Sequence, residues 1–507
     1  MNRKVGVLLS YLYMVFEVLS TLLLTPFILK TLGQAEYGVY KLSVALNSYL
    51  LLLDLGVGNA VTKYSAQFRV KNNIEGGRKF LGIASIYYFI ISLITVVVGV
   101  VLVLIFPIAF AKGLTVEEVS LGQKLLAITI IGSIITLATT AYANTIIAYE
   151  RFYISKGTAI FFILFRILGT YGALKLGARS IAIVTINLII TIITRLFYVL
   201  YVTIRLKLRP IFKNLDMKFA KEVFVYSSFI LLQMIATQLN ASVDQVLLGS
   251  LVVNSAVIIG IYGVGVQIVQ YYQSIGSAFS NILMPGIVKL VENGASSKQL
   301  TKEMIRIGRI VLFVLGIVWM GFLISGKKFI RLWAGNENED AFFVAFVLLT
   351  AYLFICVESI GTQILWAKNE HKEQSILKLV IVIANIVLTV FLIKWSPLKG
   401  ATIGTFISLL VGDVGVMNYI FVKKIGINLL EYYKGLFTGS LLSILGAGFC
   451  SYIISRYSGV SWFSLLIDII VLLIVYIILL FVFGMNNYEK NLLKNMFSKL
   501  LRKGNVK

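Results

Sequence analysis

Glu17, Lys41, Asp54, Arg166, Arg195, Asp244, Glu358, Asp413 and Asp468 each stand within, or at the edge of, a long apolar run. A charge at the middle of a membrane helix costs about 2.5–3.5 kcal/mol on insertion scales, so each needs a partner, a cavity or a function. Lys41, Lys175 and Lys378 lie near the ends of their runs, where a long stem can carry the charge to the interface. Glu17, Arg166, Arg195, Asp244 and Glu358 lie deeper, whereas Asp413 and Asp468 read as structural pairs. Polar side chains also form stripes at helical spacing. Gln233, Thr237, Asn240 and Asp244 follow i, i+4, i+7 and i+11; Ser10, Met14, Glu17 and Thr21 repeat that spacing 223 residues earlier; Gln267, Gln270, Ser274, Ser277 and Asn281 share a third face. Such stripes must face protein or water rather than lipid. Isolated Ser and Thr are explained by helix-to-helix hydrogen bonding, but paired stripes in corresponding segments point to a shared cavity.

No catalytic constellation accompanies them. There is one histidine, His371, and no carboxylate pair, Ser/His set or phosphate loop at a usable spacing. Cys356 and Cys450 are far apart, which excludes a disulfide framework and a zinc motif. No cofactor and no metal is expected, and the chain does not read as an enzyme.

The elements that position these residues follow from composition. The chain is 59% hydrophobic and only 13% charged, with a mean hydropathy of +0.92, whereas soluble chains are about a quarter charged. An all-α integral membrane protein is expected. Apolar windows of about 20 residues predict about 14 transmembrane helices, near 5–29, 38–62, 81–106, 124–147, 157–176, 180–203, 223–250, 256–284, 304–325, 341–366, 376–395, 400–422, 434–455 and 460–484. The first window is too long for a signal-peptide core and lacks a small-residue cleavage site.

Net charge is +24, but its location excludes a nucleic-acid partner. Lysines and arginines favour the even-numbered loops and both termini by about three to one, which predicts cytoplasmic N- and C-termini.

Two stretches echo one another. "EYGVYKLSVALNSYLL" at 36–51 resembles "IIGIYGVGVQIVQYYQ" at 258–273, with Tyr40 and Tyr262 separated by 222 residues. The basic loop "RLKLRPIFKNLDMKFAK" divides two groups of six spans. The expected organisation is a lobe at 1–203, a basic cytoplasmic linker at 204–222, a second lobe at 223–422, additional spans at 423–484 and a basic amphipathic tail at 485–507. Within the run "LLLLDLGVGNAVTKY", Asp54 shares a face with Tyr40, Ser43 and Asn47. It lies two turns from the end of its span, a depth suited to pairing with a basic residue.

"LTPFILKTLGQAEYGVYKL" and "LLLLDLGVGNAVTKYSAQF" resemble the N-terminal signature of bacterial polysaccharide (O-antigen) flippases of the Wzx type. "SVDQVLLGSLVVNSAVIIGIYGVG", "FIRLWAG", "GTQILWAKNEHK" and "KGATIGTFIS" are similar to later segments of that family, in the same order. The family lies in the multidrug/oligosaccharidyl-lipid/polysaccharide exporter superfamily. The resemblance implies two six-helix lobes around a central cavity plus two C-terminal helices. It also implies flipping of undecaprenyl-diphosphate-linked oligosaccharide between leaflets of the cytoplasmic membrane by alternating access. On that reading Arg166 and Arg195, then Lys41 and Lys378, attract the diphosphate, since guanidinium offers bidentate donors. Gln233, Asn240, Gln267 and Gln270 meet sugar hydroxyls, and Glu17 or Asp244 carries a coupling H+ or Na+. The partners implied are the lipid-linked oligosaccharide, membrane lipids, a polysaccharide polymerase and glycosyltransferases. Lipid II flippases typically carry arginines in their first two spans, where this chain has only Lys41. Multidrug antiporters of the superfamily usually have twelve spans. A non-transporting scaffold of a glycan assembly complex would use the same stripes as buried glue.

Overall fold

The computed structural model describes residues 3–213, 234–235, 238–240, 242–368, 370 and 372–491. Gln233, Thr237 and His371 lie outside them, as do 214–222 of the expected linker and 492–507 of the expected tail. All regular structure among the described residues is helical.

Helices α1 (Arg3–Leu50), α2 (Val57–Val70), α3 (Ile74–Phe110), α4 (Val116–Ala138), α5 (Thr140–Ala148), α6 (Phe152–Lys175) and α7 (Ser180–Leu200) come first. Then follow α8 (242–251), α9 (Ala256–Glu292), α10 (Ser297–Ala334), α11 (Ala341–Val357), α12 (Ser359–Ala367), α13 (Lys372–Ile393) and α14 (Pro397–Ser408). The last are α15 (Met417–Ile420), α16 (Leu429–Phe437), α17 (Ser440–Tyr457) and α18 (Trp462–Leu479). Among the described residues ten helical stretches are long and apolar enough to cross a membrane, and α11 with α12, bent by 40°, forms one more. This is compatible with fourteen spans: Leu8–Asp54 contains both the first and second expected spans, which makes twelve, the seventh lies partly outside the described residues and the eighth falls within α9.

Local chemistry sets the ends. Asn73 accepts the Gly76 amide at 2.7 Å to start α3, and Thr115 with Glu118 forms a capping box at the start of α4. α1 is broken at Gly33, whose φ of 78° is cheap only for glycine. The second span breaks where Asp54 stands: Leu55 and Gly56 both adopt left-handed backbone (φ 52° and 75°), and α2 restarts at Val57.

The outward faces are strongly apolar. Val97, Leu104 and Ile108 on α3, Phe391 on α13 and Phe463 on α18 are exposed, as a lipid-facing surface requires. The protein is a multi-pass membrane protein.

The chain divides into two compact units. One comprises Met1–Gly263 with Ser375–Thr405, the other Val264–Gln374 with Phe406–Lys507. In the first, Val57, Val61, Phe80, Tyr88, Ile146 and Tyr198 form a core where α2, α3, α5 and α7 meet. Elsewhere in this unit Gly38 and Gly260, one from each echoed stretch, meet. A Cβ at Gly38 would strike the Ala256 carbonyl and lie 3.0 Å from the Gly260 nitrogen. A Cβ at Gly260 would lie 2.6 Å from the Gln34 carbonyl oxygen and 3.5 Å from the Gly38 nitrogen. At the offset of 222 residues Gly38 corresponds to Gly260 and Gln34 to Ala256. Each copy of the repeat therefore contributes the same atoms to the contact. In the second unit, the first turn of the expected tail is docked: Glu489 is buried and paired with Arg309.

Candidate functional site

Asp244 on α8 is 3% exposed. Its carboxylate accepts hydrogen bonds from the Tyr262 hydroxyl on α9, from Thr405 on α14 at 2.5 Å and from Thr389 on α13 at 3.5 Å. The Thr389 and Thr405 hydroxyls also lie 3.0 and 3.2 Å from Asn385 Oδ1, so each threonine shares its one proton between Asp244 and Asn385. Asn385 in turn donates through Nδ2 to Asn240 Oδ1 at 3.3 Å. Asn385 and Thr389 are wholly buried. Every donor is a neutral hydroxyl or amide, and no lysine or arginine pairs with the acid among the described residues. Such a cluster satisfies hydrogen bonds without balancing charge.

Two glycines make the cluster possible. A Cβ at Gly400 would strike the Leu392 carbonyl, and one at Gly404 would lie 2.5 Å from Thr389 Oγ1. Small residues four apart let α14 close on α13, which brings Thr405 within reach of a carboxylate 161 residues away.

Other predicted residues are arranged differently. Arg166 donates through Nη2 to Glu17 Oε1 at 2.9 Å and to Ser20 Oγ at 3.2 Å. A candidate headgroup ligand and a candidate ion carrier thus neutralise each other. Arg195, half-buried on α7, makes no hydrogen bond or ion pair among the described residues. Lys41 is half-buried beside Gly263, with its ammonium 5.2 Å from the Tyr37 ring centre. Lys378 is half-buried on α13. Gln267 is buried and donates to the Tyr271 hydroxyl at 2.6 Å, while Gln270 is exposed. Gln233 lies outside the described residues. The structure therefore joins Asn240 to Asp244 and Glu17 to Arg166.

Asp54 departs from its expected role. It accepts from the Tyr88 hydroxyl at 2.5 Å and from the Gly58 amide at 3.4 Å, and so caps the restarted helix α2. The basic partner anticipated from its depth is replaced by a tyrosine of α3, because the chain breaks at Leu55 and turns the carboxylate back onto the helix it starts. Asp468 is the expected structural pair, 2.6 Å from Lys328 Nζ.

Sequence reasoning missed Asn385, Thr389, Thr405 and Tyr262 as partners of Asp244. A signal was present: Asn385 and Thr389 are spaced i, i+4 in an apolar span, and Gly400 and Gly404 lie on the next one. Among the described residues no three His, Cys, Asp or Glu side chains converge on one point.

The fold is similar to those of solved transporters. Lipid II flippase MurJ, in an inward closed conformation, aligns with a TM-score of 0.70 over 94% of this chain and 97% of that one, at 16% identity. An inward-facing multidrug resistance MATE family transporter of the MOP superfamily aligns at 0.62 over 82% and 94%, at 13% identity. A MOP superfamily transporter from Pyrococcus furiosus aligns at 0.56 over 84% and 96%, at 14% identity. At these identities the likeness is one of fold. No curated protein matches the sequence. Residues 4–291, more than half of the chain, match the family described as polysaccharide biosynthesis protein, and the chain therefore belongs to that family.

Proposed function

We infer that the protein flips undecaprenyl-diphosphate-linked oligosaccharide repeat units from the inner to the outer leaflet of the cytoplasmic membrane, for surface polysaccharide biosynthesis. The reading is carried by one conjunction: membership of the polysaccharide biosynthesis family over residues 4–291 in a chain whose fold is similar to that of a lipid II flippase along nearly its whole length. Lobes at 1–203 and 223–422 alternate access, spans at 423–484 are additional, and both termini are cytoplasmic.

Arg195 attracts the diphosphate, supported by its half-buried guanidinium and the lack of any protein anion upon it among the described residues. Arg166 assists through Nε and Nη1, which Glu17 leaves open. Lys41 and Lys378 add positive charge, and Gln233, Asn240, Gln267 and Gln270 offer amides to sugar hydroxyls. Asp244 carries the coupling H+ or Na+. Its uncompensated charge and its ring of hydroxyl and amide oxygens suit a small hard cation.

Likeness to a multidrug transporter favours a second reading, cation-coupled drug export. One experiment separates the two. In cells lacking the protein, lipid-linked repeat units should accumulate on the inner leaflet and be cleared by the wild-type chain. Arg195→Ala and Asp244→Asn, present at normal level, should fail to clear them, with drug resistance unchanged. Clearance by both variants would overturn these assignments. Loss of drug resistance with normal clearance would favour the antiporter.

A further inference from the structure

Glu358 stands at the 40° bend between α11 and α12. Its side chain is 3% exposed. At the start of α12 it makes no side-chain cap to the amides of the following turn. It reaches instead across to α15 and α16. Tyr433 donates its hydroxyl to Glu358 Oε1 at 2.5 Å. Asn418 Nδ2 donates to the same oxygen at 3.1 Å and to the Tyr433 oxygen at 2.7 Å.

No other hydrogen bond reaches the carboxylate among the described residues. Glu358 Oε2 and Asn418 Oδ1, both buried, have no hydrogen-bond partner among the described residues. Asn418 is itself 6% exposed and lies between the π-helical turns Leu409–Val416 and Phe421–Ile425, the kind of irregularity that gathers at functional positions. The titratable groups facing the acid are Tyr432 and Tyr433, both on α16. No lysine or arginine pairs with it among the described residues. The neighbouring helices close tightly. A Cβ at Gly361 would lie 2.7 Å from the Phe421 ring, and one at Gly308 on α10 would lie 3.1 Å from the Tyr432 hydroxyl oxygen and 3.3 Å from the Val357 carbonyl oxygen.

A buried carboxylate with no counter-charge and two bare acceptors is unfavourable twice over. A single proton on the acid removes the charge and one of the bare acceptors. Placed on Oε2 it neutralises the acid and turns a bare buried acceptor into a donor. A metal ion would demand more oxygens than these two. We propose that Glu358 is a proton-binding site, separate from Asp244, built into the bend between α11 and α12. The site stands whichever substrate the protein carries.

Infrared spectroscopy of the purified full-length protein tests this. The wild type should show the carbonyl stretch of a buried protonated carboxylic acid. That band should be lost in Glu358→Gln and kept in Asp244→Asn. In Asn418→Leu it should persist at higher frequency, because the Glu358 carbonyl oxygen has lost the Asn418 amide donor; an ionised Glu358 would give no such band. A band unchanged in folded Glu358→Gln, or unmoved in Asn418→Leu, overturns the proposal. So does the absence of any such band in the wild type; a rise in thermal midpoint on replacing choline by sodium, abolished in Glu358→Gln, would then name the metal as the ligand.

Discussion

Asp244 and Asp468 are both buried acids in apolar helices, and their neighbourhoods differ in one respect. Asp468, 1% exposed, has its own base. Lys328 Nζ lies 2.6 Å from its Oδ2 and also donates to Ser458, which donates to Oδ1 at 3.0 Å. The group is neutral and joins α10 to α18. Asp244 receives only hydroxyls and has no counter-charge among the described residues. A buried acid with a resident cation is a staple, whereas one without must draw a mobile cation or a proton. The arginines divide in the same way. Arg309 uses its guanidinium on Glu489 and on the carbonyls of Gly435, Thr438 and Gly484, whereas Arg195 has no such set of acceptors among the described residues.

Removing the lysine should make Asp468 resemble Asp244. Lys328→Ala strands a buried charge and should destabilise the protein by about 3–5 kcal/mol, read as a fall in thermal midpoint in detergent, while Lys328→Met with Asp468→Leu should recover most of the loss. An equal loss in the double variant would show that the pair does not act as a unit.

The reciprocal change is Asp244→Asn, which removes the charge and keeps the shape. If sodium is the coupling ion, saturating sodium in place of choline should stabilise the wild type by about 2.7 kcal/mol at a hundredfold excess over Kd, and the variant not at all. If the ion is a proton, acidification should replace sodium as the stabilising condition, again in the wild type only. A variant that responds as the wild type does to both conditions would refute the role of Asp244.

Gly404→Ala probes the packing that assembles the cluster. Its Cβ would press on Thr389 Oγ1 at 2.5 Å, forcing α14 outward at about 1–3 kcal/mol. The cation response of the thermal midpoint should weaken along with stability; an intact response would separate the helix contact from the site.

The smallest effect belongs to an exposed pair. Arg331, hydrogen-bonded to Glu339 in the loop after α10, holds that carboxyl below its usual range. The pair therefore adds stability above the unfolded carboxylate value of about 4.3 and loses it as pH falls through the lower, folded value. Glu339→Gln should remove that acid-side dependence and change stability at neutral pH by less than about 1 kcal/mol, measured as thermal midpoint against pH.

The spans were legible because hydrophobic thickness writes itself into chain length. The repeat was legible because Tyr40, Gly38 and their counterparts recur at one offset. Glu17, Arg166 and Asp244 stood out because charge is rare in apolar helices. Their relationships were not legible. Glu17 meets Arg166 across 149 residues of chain, and periodicity within each helix indicates a face without naming the neighbour that face will meet. The break at Gly33 falls in the expected connection between the first two spans, whereas the left-handed backbone at Leu55 had no sequence signal, since glycine beside it serves packing as readily as bending.

By itself, then, the sequence determined an all-helical membrane protein with an internal repeat and a short set of intramembrane charges. Those follow from local properties: length, polarity and spacing. Only the tertiary structure decided that Asp468 is neutralised by Lys328, that Arg166 is held by Glu17, and that Asp244 and Glu358 are buried among neutral donors. The reason is physical. What a buried charge does depends on whether a counter-charge lies within a few ångströms, and that distance is set by which helices pack together.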